Sequence, residues 1–522
     1  MRRARKRNPA EPDGSRAVAP SKECDEIAGL ILADRFDPKD VSFGSYLDWL
    51  GGHGLDGSGV AVAVVDSGVA VDHPSLAGRV RDLAGKVSWH GTAMTALAAG
   101  FDLSERDERG FHYGLGVAPK AEILAQDRFL SPFEVCRQTA TEASPSELFA
   151  SIQSNSFGKG TCDPMDYGSE EALYDALARN AVPGAEEARS FLLCFAAGNE
   201  GEKGLTRPAG AKNVLVVGNT PVHRPRDGGI EAERIDRVHR GAYDTGHSAS
   251  GIGNCGDGRI RPHVVAPGEW AASANCGAQP GERKFLSPLY TWSGGTSAAT
   301  AVAAGAAALL VQWFRREAAA DPSPALLRAM LVNGAIDLGD ESPIPNRRQG
   351  WGRISVENIV RRGVARAFVD QTEILARAGD ERAWKIRIAE ADRPLKITLA
   401  WTDPPGVPGS GTADRSALVH RLLLRVEQRG EVYFGNVFAE GWSVPSERQP
   451  EVRENLQNVY LSPGREGEAI VSVLALGLEV DALTLAVGPL RQDFALWISN
   501  GVAEGEERRE AEVVPLPAGT RS

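Results

Sequence analysis

Three polar residues lie where the sequence could support nucleophilic catalysis: Ser297, His90 and Asp66. Ser297 follows two glycines and precedes a run of small apolar residues, 298–310, that is typical of a buried helix. A serine hydroxyl is a weak nucleophile, so it needs an imidazole as its base, and a carboxylate must orient that imidazole. A lone serine before a helix is ordinarily an N-cap, so the prediction depends on all three residues together.

The acid and the imidazole are placed to meet at one edge of a sheet. Residues 60–65 are a continuous run of valine and alanine, which indicates a strand buried on both faces of a parallel sheet, and Asp66 follows it directly. Open α/β sheets bind their ligands at the carboxyl ends of the strands. His90 comes directly before a second run of mostly small residues, 91–100, which predicts another buried helix.

A fourth segment offers a group that could stabilise negative charge. Residues 191–197 are apolar and predict a strand, and they lead into Gly198 and Asn199. A side-chain amide can donate a hydrogen bond to an oxyanion that develops only in the transition state. An isolated Gly-Asn pair would instead indicate a turn. The presence of the serine, histidine and aspartate segments in the same sequence favours the oxyanion role.

The four segments resemble the signatures of the subtilisin-like serine proteases (subtilases, peptidase family S8), over roughly residues 45–365. The matching residues are Asp66-Ser67-Gly68, His90-Gly91-Thr92, Ala197-Gly198-Asn199 and Gly295-Thr296-Ser297-Ala298-Ala299-Thr300. The resemblance implies an endopeptidase that works through an acyl-enzyme intermediate and needs no cofactor for its chemistry. It assigns catalysis to Asp66, His90 and Ser297 and the oxyanion hole to Asn199.

The same resemblance implies where a substrate would bind. Two segments of the family flank the cleft and pair with an extended substrate backbone, which gives affinity through main-chain hydrogen bonds. In this sequence they correspond to Ser156, Phe157 and Gly158 on one side, and to Ala197 and Gly198 on the other. Phe157 could equally be a core residue.

The resemblance implies an α/β catalytic domain, the three-layer subtilisin-like fold with a mostly parallel central sheet. Beyond it, apolar and polar residues alternate, as in residues 384–388 and 395–401, which predicts a C-terminal all-β sandwich. This part resembles the jelly-roll-like domain of the KP-43-type branch of subtilases. We expect an N-terminal extension that is partly disordered (1–44), a catalytic domain (45–365), a β-sandwich (370–502) and a flexible tail (503–522).

A structural calcium site is possible but has no clear support in the sequence. Relatives of the KP-43 type carry acidic residues in the segment that matches residues 418–424, where this chain has His420, Arg421 and Leu422. Calcium requires several oxygen ligands, so the departure puts a site there in doubt.

Composition and charge narrow the range of partners. The formal net charge of −11 argues against nucleic-acid binding, so protein or peptide substrates are expected, and the oligomeric state stays open. The apolar run after Ser297 is rich in alanine, which favours a buried helix over a membrane span. A basic run at residues 1–7 has no apolar stretch after it, so the sequence shows no signal peptide. This favours a cytoplasmic location, with secretion by an unrecognised route as the alternative. A reducing cytoplasm in turn favours free thiols, with a disulfide between Cys255 and Cys276 as the alternative.

A second function from another class fits the same fold. The methionine and proline usual after the family's serine are Ala298 and Ala301 here. The chain could therefore be a catalytically impaired member that binds peptides or regulates other proteins. Cleavage of an unfolded protein by the pure, folded chain separates the two hypotheses.

Overall fold

The computed structural model describes residues 26–35, 45–107, 110–183, 189–222, 238, 249–282, 284–340, 342–485, 488–504 and 513–520. Its helices are α1 (Glu26–Leu32), α2 (Tyr46–His53), α3 (Trp89–Ala99), α4 (Pro132–Thr141), α5 (Ser169–Arg179), α6 (Gly295–Ala318), α7 (Pro324–Asn333) and α8 (Val356–Val360), with a short 3-10 helix at Gly201–Lys203.

The strands of the first half are β1 (Ala61–Asp66), β2 (Val80–Asp82), β3 (Phe101–Arg106), β4 (His112–Leu115), β5 (Glu122–Asp127), β6 (Ala150–Asn155), β7 (Lys159–Cys162), β8 (Leu192–Ala196), β9 (Leu205–Arg207), β10 (Leu215–Pro221), β11 (Val264–Glu269), β12 (Ala271–Ala274) and β13 (Tyr290–Ser293). Those of the second half are β14 (Arg366–Leu375), β15 (Glu381–Ile388), β16 (Leu395–Ala400), β17 (Arg421–Gln428), β18 (Glu431–Phe434), β19 (Phe438–Ala439), β20 (Trp442–Ser443), β21 (Leu456–Leu461), β22 (Glu468–Gly477), β23 (Gln492–Ser499), β24 (Gly501–Ala503) and β25 (Val513–Pro515).

A parallel sheet forms the centre of the first half. Within the described residues its strand order is β11-β10-β8-β6-β1-β5-β2, and every pairing is parallel. All six residues of β1 are buried, as expected for a strand covered by helices on both faces. The predicted α/β fold with a mostly parallel sheet is confirmed. The carboxyl ends of β1, β6 and β8 therefore lie side by side at one edge.

Two helices built from small residues cover one face of this sheet. Helix α6 packs on β6, β8, β10 and β11, and α3 packs on α6 and β1. A β-carbon at Gly305 would lie only 2.7 Å from Ala98 O and from Val117 Cβ, so a glycine allows the close approach of α6 to α3. Helix α6 is long and apolar enough to span a membrane, but 89% of its most apolar window is buried inside the protein.

The second half is a sandwich of two five-stranded sheets, in the orders β21-β16-β23-β14-β25 and β18-β17-β22-β15-β24. The alternation that predicted it is visible in β15, where Trp384, Ile386 and Ile388 are buried while Lys385 and Arg387 are exposed. The buried residues of the two sheets form a second apolar core. The predicted C-terminal antiparallel domain is thus present.

Buried charges connect the sandwich to the first half. Lys212 Nζ donates to a carboxylate oxygen of Asp403, to Pro404 O at 2.6 Å and to Ala417 O at 2.9 Å. Arg179 of α5 makes a bidentate ion pair with Asp493 of β23 at 2.7 and 2.8 Å. Buried charges require such complete pairing, so the junction holds the two halves together as one body.

The segment that the resemblance linked to calcium takes part in the same junction. The backbone N–H groups of Val419 and His420 donate to Asp403 at 2.9 and 2.7 Å. The cation that faces Asp403 is the ammonium group of Lys212. In the described part of the chain, no group of three or more His, Cys, Asp and Glu side chains could hold a metal ion.

The two ends of the described chain pack on the body. Glu26 of α1 is buried and accepts the N–H groups of Tyr46 and His112 at 2.8 and 2.9 Å. At the other end, β25 pairs in parallel with β14. Residues 513–515 of the tail expected over 503–522 thus form a strand, because the edge of β14 offers them a hydrogen-bonding partner.

The cysteines in the described residues are free thiols: Cys136, Cys162, Cys194, Cys255 and Cys276. The disulfide between Cys255 and Cys276 that the sequence left open is not formed. Cys24 lies outside the described residues.

Candidate active site

Asp66 and His90 lie side by side at the carboxyl edge of the parallel sheet. Asp66 is the last residue of β1, and His90 is in the first turn of α3. His90 Nδ1 lies 2.8 Å from Asp66 Oδ2. With the proton on Nδ1, the imidazole donates to the carboxylate and Nε2 can accept a proton from another group.

A glycine allows this approach. Gly91 follows the histidine, and a β-carbon there would collide with Gly68 O and lie 3.0 Å from Asp66 Cβ. The side chain of Asp66 is 4% exposed and that of His90 is 26% exposed. The acid is therefore shielded from water, while the imidazole keeps one face open to the solvent.

Burial distinguishes His90 from other histidines of the described chain. Burial lowers the pKa of the imidazole at four positions: His73, His112, His263 and His420. His263 is fully buried, and its Nδ1 accepts the backbone N–H of Val216 at 2.9 Å. Such neutral, hydrogen-bonded histidines belong to the core, in contrast to the half-open His90 paired with a carboxylate.

Ser297 lies in the first turn of α6, in a reciprocal contact with β6. Its hydroxyl donates to Ser156 O at 3.1 Å, and the hydroxyl of Ser156 donates to Ser297 O at 2.9 Å. Gly295, two residues earlier, has a φ of 84°, which favours glycine. In this state of the described chain Ser297 Oγ is hydrogen-bonded to Ser156 and not to His90.

Asn199 lies beside the same turn with its amide group oriented. Its Oδ1 accepts the backbone N–H of Thr296 at 2.9 Å and the hydroxyl of Thr296 at 3.0 Å. Because both contacts use the oxygen, Nδ2 keeps its donors, and the described residues offer them no hydrogen-bond partner. An amide that is held by Thr296, the residue before Ser297, and that keeps spare donors can bind an anionic oxygen.

The predicted substrate segments lie next to these groups. Phe157 is partly buried, and its ring packs edge-on against Phe195 with centroids 6.0 Å apart, so this side chain contributes to the core. Gly158 leads into β7, and Gly198 has a φ of 106°. The backbone of Ala197 is hydrogen-bonded on both sides, because its N–H donates to Val217 O and its C=O accepts Thr206 N.

Two residues near the site were not identified from the sequence. Thr206 lies between the two substrate segments: a β-carbon on Gly158 would collide with its Oγ1, and one on Gly198 would lie 2.7 Å from its Cγ2. Thr206 has no sequence signal, because its strand β9 is only three residues long and shows no repeating apolar pattern. Only the fold brings it between the two glycines.

The second missed residue is Glu269, which lies beneath the turn that carries Ser297. Its side chain is fully buried at the end of β11, and Oε2 accepts Gly295 N at 2.8 Å and Asn219 Nδ2 at 3.1 Å. A carboxylate at a helix N-terminus satisfies a free N–H group and interacts favourably with the helix dipole. A charged residue at the end of the otherwise uncharged β11 was the available signal.

Comparison with known proteins gives concordant results. The model of the Peptidase_S8 family, described as the subtilase family, matches residues 57–352, more than half of the chain. Serine protease AprX of Bacillus subtilis (strain 168) is 29% identical over 342 residues, which cover 59% of this chain and 68% of AprX.

Two further similarities have lower sequence identity. The serine protease/ABC transporter B family protein tagA of Dictyostelium discoideum is 26% identical over 212 residues, 36% of this chain, but the match spans only 12% of that relative's length. The structure of the prenylagaramide maturation protease PagA aligns with a TM-score of 0.40 and 20% identity, covering 58% of this chain and 92% of PagA.

Proposed function

Because this chain belongs to the subtilase family, we propose that it is a serine endopeptidase in which Asp66, His90 and Ser297 form the catalytic triad. The family and its protease relatives support a serine peptidase. The observation that carries the finer proposal is the 2.8 Å contact between His90 Nδ1 and Asp66 Oδ2. It holds an imidazole at the sheet edge with Nε2 available as a base.

The first step is attack of Ser297 Oγ on the carbonyl carbon of the scissile bond. Oγ donates to Ser156 O in the free protein, so the hydroxyl first rotates about its Cα–Cβ bond to donate to His90 Nε2. Catalytic hydrogen bonds of free enzymes often form fully only when substrate is bound. His90 takes the proton as the C–O bond forms, and Asp66 stabilises the resulting imidazolium.

The tetrahedral intermediate then collapses to an acyl-enzyme. His90 returns the proton to the amine as the C–N bond breaks, and a water molecule activated in the same way hydrolyses the ester. Asn199 Nδ2 donates to the oxyanion, supported by backbone N–H groups at the start of α6. The Oδ1 contacts with Thr296 fix the amide before reaction, so little reorganisation is needed.

Substrate binding is assigned to the two flanking segments. Ser156, Phe157 and Gly158 extend from the carboxyl end of β6, and Ala197 and Gly198 extend from β8. An extended polypeptide beside Ser156, Phe157 and Gly158 is held by main-chain hydrogen bonds, which allows cleavage of internal bonds in many sequences. The backbone N–H and C=O groups of Ala197 and Gly198 are already hydrogen-bonded within the protein, so these two residues line the cleft without pairing with the substrate backbone.

Digestion of unfolded casein and of a peptide library by the full chain, read by mass spectrometry, tests this proposal. We expect cleavage at internal bonds, and we expect Ser297→Ala to abolish it. The control variant Ser104→Ala, which replaces an exposed serine of β3, should retain it. Removal of terminal residues alone would contradict an endopeptidase. A folded protein that binds peptides without cleaving them would favour the peptide-binding alternative, which the hydrogen bond between Ser297 and Ser156 would then explain.

A further inference from the structure

Exposed apolar side chains concentrate beside the candidate triad. Among the described residues, Phe129 and Val87 are the two most exposed large apolar side chains, at 70% and 69%, and Trp89 is 45% exposed. We call these three residues the cleft rim. Contiguous exposed apolar surface on a soluble protein ordinarily marks an interaction site.

The cleft rim is continuous with the groups assigned to catalysis. The backbone N–H of Arg128, next to Phe129, donates to Asp66 O at 2.9 Å. The ring of Trp89 meets the ring of His90 edge-on, with centroids 5.3 Å apart. Lys86 joins the two parts of the rim, because it precedes Val87 and its ammonium group lies 5.6 Å from the centre of the Phe129 ring.

Besides Lys86, two further cations lie over the aromatic rings of the rim. The guanidinium of Arg128 is 4.8 Å from the centre of the Phe129 ring, and the ammonium of Lys284 is 4.6 Å from that of Trp89. Lys86 is neutralised by Asp127 at 2.6 Å, whereas the described part of the chain supplies no ion-pair partner to Arg128 or Lys284. Cation–π contacts hold these charges in place, so the rim presents two cations without ion-pair partners in the described residues, on a chain of net charge −11.

We propose that the cleft rim binds an extended stretch of substrate polypeptide in which apolar side chains stand next to acidic ones. This inference rests on the proposed function, because it assigns the rim to the substrate of the same cleft. The apolar side chains cover Phe129, Val87 and Trp89, and the carboxylates pair with Arg128 and Lys284. Such pairing contributes mainly to partner selection, and a basic segment would be repelled by the same cations.

Binding can be measured apart from catalysis by using the full-length Ser297→Ala variant. Fluorescent twelve-residue peptides carry alternating leucine with glutamate, leucine with lysine, or serine with glutamate, and polarisation gives Kd. The leucine–glutamate peptide is expected to bind roughly tenfold more tightly than the other two, and 0.5 M NaCl should narrow its advantage over the lysine peptide by screening. Equal binding of the glutamate and lysine peptides would overturn the proposal.

Variants locate the contact. Phe129→Ser should weaken the leucine–glutamate peptide about tenfold, since one exposed aromatic contact is lost. Arg128→Gln and Lys284→Gln should reduce the preference for glutamate over lysine. Ile470→Ser and Arg387→Gln replace exposed residues of the sandwich and should change neither value.

The outcomes separate the two proposals. Unchanged binding in both Phe129→Ser and Val87→Ser, with melting temperatures equal to that of the parent, would overturn the assignment of the rim. The Ser297→Ala variant could bind peptides selectively while the unmodified protein cleaves none of them. That result would support peptide selection by the cleft rim and contradict endopeptidase activity. Equal cleavage of peptides that differ in charge and apolar content would support endopeptidase activity and contradict peptide selection by the cleft rim.

Discussion

Two carboxylates near the ends of buried strands have opposite surroundings. Asp66 at the end of β1 pairs with His90, whose side chain is 26% exposed. Asp403, three residues after β16, faces Lys212, and both side chains are fully buried. Nε2 of His90 has no hydrogen-bond partner in the described chain, whereas Lys212 uses three acceptors.

The difference distinguishes a pair that is suited to proton exchange from a pair that is suited to a structural role. A group that exchanges protons with a substrate needs an open face and unused hydrogen-bonding capacity. A buried charge that holds two units together must have its capacity filled, because an unpaired buried charge is strongly destabilising. Residue type at the end of a strand does not distinguish the two cases; exposure and the number of satisfied donors do.

Replacing the reactive imidazole should have the largest effect. His90→Ala removes the proposed general base while leaving the core intact, so kcat/KM for a peptide substrate should fall by roughly 10⁴–10⁶-fold. The melting temperature should stay within about 2 °C, because the side chain is partly exposed. A loss of activity that parallels unfolding would place His90 with the structural histidines.

Replacing the structural cation should act on stability instead. Lys212→Met leaves Asp403 buried without its counter-charge and should lower the free energy of unfolding by about 3–5 kcal/mol. Urea unfolding followed by tryptophan fluorescence measures this. Lys212→Met combined with Asp403→Asn should recover part of the loss, and an uncharged pair no more stable than the single variant would contradict the ion-pair explanation.

Removing the oriented amide should lower kcat and leave KM nearly unchanged. Asn199→Ala deletes the donor that we propose acts on the transition state. The loss of such a donor costs about 2.7–4 kcal/mol, roughly 10²–10³-fold in kcat, in subtilisin itself. Steady-state kinetics on a peptide anilide give both constants. An equal loss in a variant of the distant Asn436 would show a general effect on folding.

Thr206 should limit the size of the substrate side chain that binds between Gly158 and Gly198. Thr206→Gly is expected to raise kcat/KM for substrates with phenylalanine before the scissile bond, relative to alanine, by about tenfold or more. Thr206→Ser retains the hydroxyl and should give a smaller change. An unchanged ratio in both variants would show that this space does not receive the side chain.

The smallest effect concerns pH at the junction. Burial raises the pKa of Asp370 in β14 from 3.8 to about 6, and its Oδ2 accepts Ser323 N at the start of α7. A carboxyl whose folded pKa is raised contributes stability that is complete below pH 3.8 and is lost as pH rises through 6. Asp370→Asn should remove about 1–3 kcal/mol of this pH dependence between pH 4 and 7; identical unfolding curves across that range would contradict it.

The sequence predicted the elements that carry their own local pattern. The apolar run before Asp66 predicted a buried strand, and the small residues after His90 and Ser297 predicted buried helices. These predictions need only neighbouring residues, because an uninterrupted apolar run indicates by itself that the segment is buried. The alternating residues of β15 predicted the sandwich for the same reason. The KP-43-type assignment stays a prediction.

Features that depend on distant partners could not be predicted. Thr206 and Lys212 acquire their roles only from glycines or carboxylates that folding brings near them. Strand β25 is three residues long, and its pairing depends on the edge of β14 more than on its own composition. The hydrogen bond between Ser297 and Ser156 likewise required the structure.

An active-site-directed fluorophosphonate tests the central claim most directly. Intact mass and peptide mapping of the full chain should show one label, on Ser297, that is absent from Ser297→Ala and forms far more slowly in His90→Ala. A folded chain that takes up no label, or that carries it on another residue, would contradict the assignment of Ser297 as the nucleophile activated by His90.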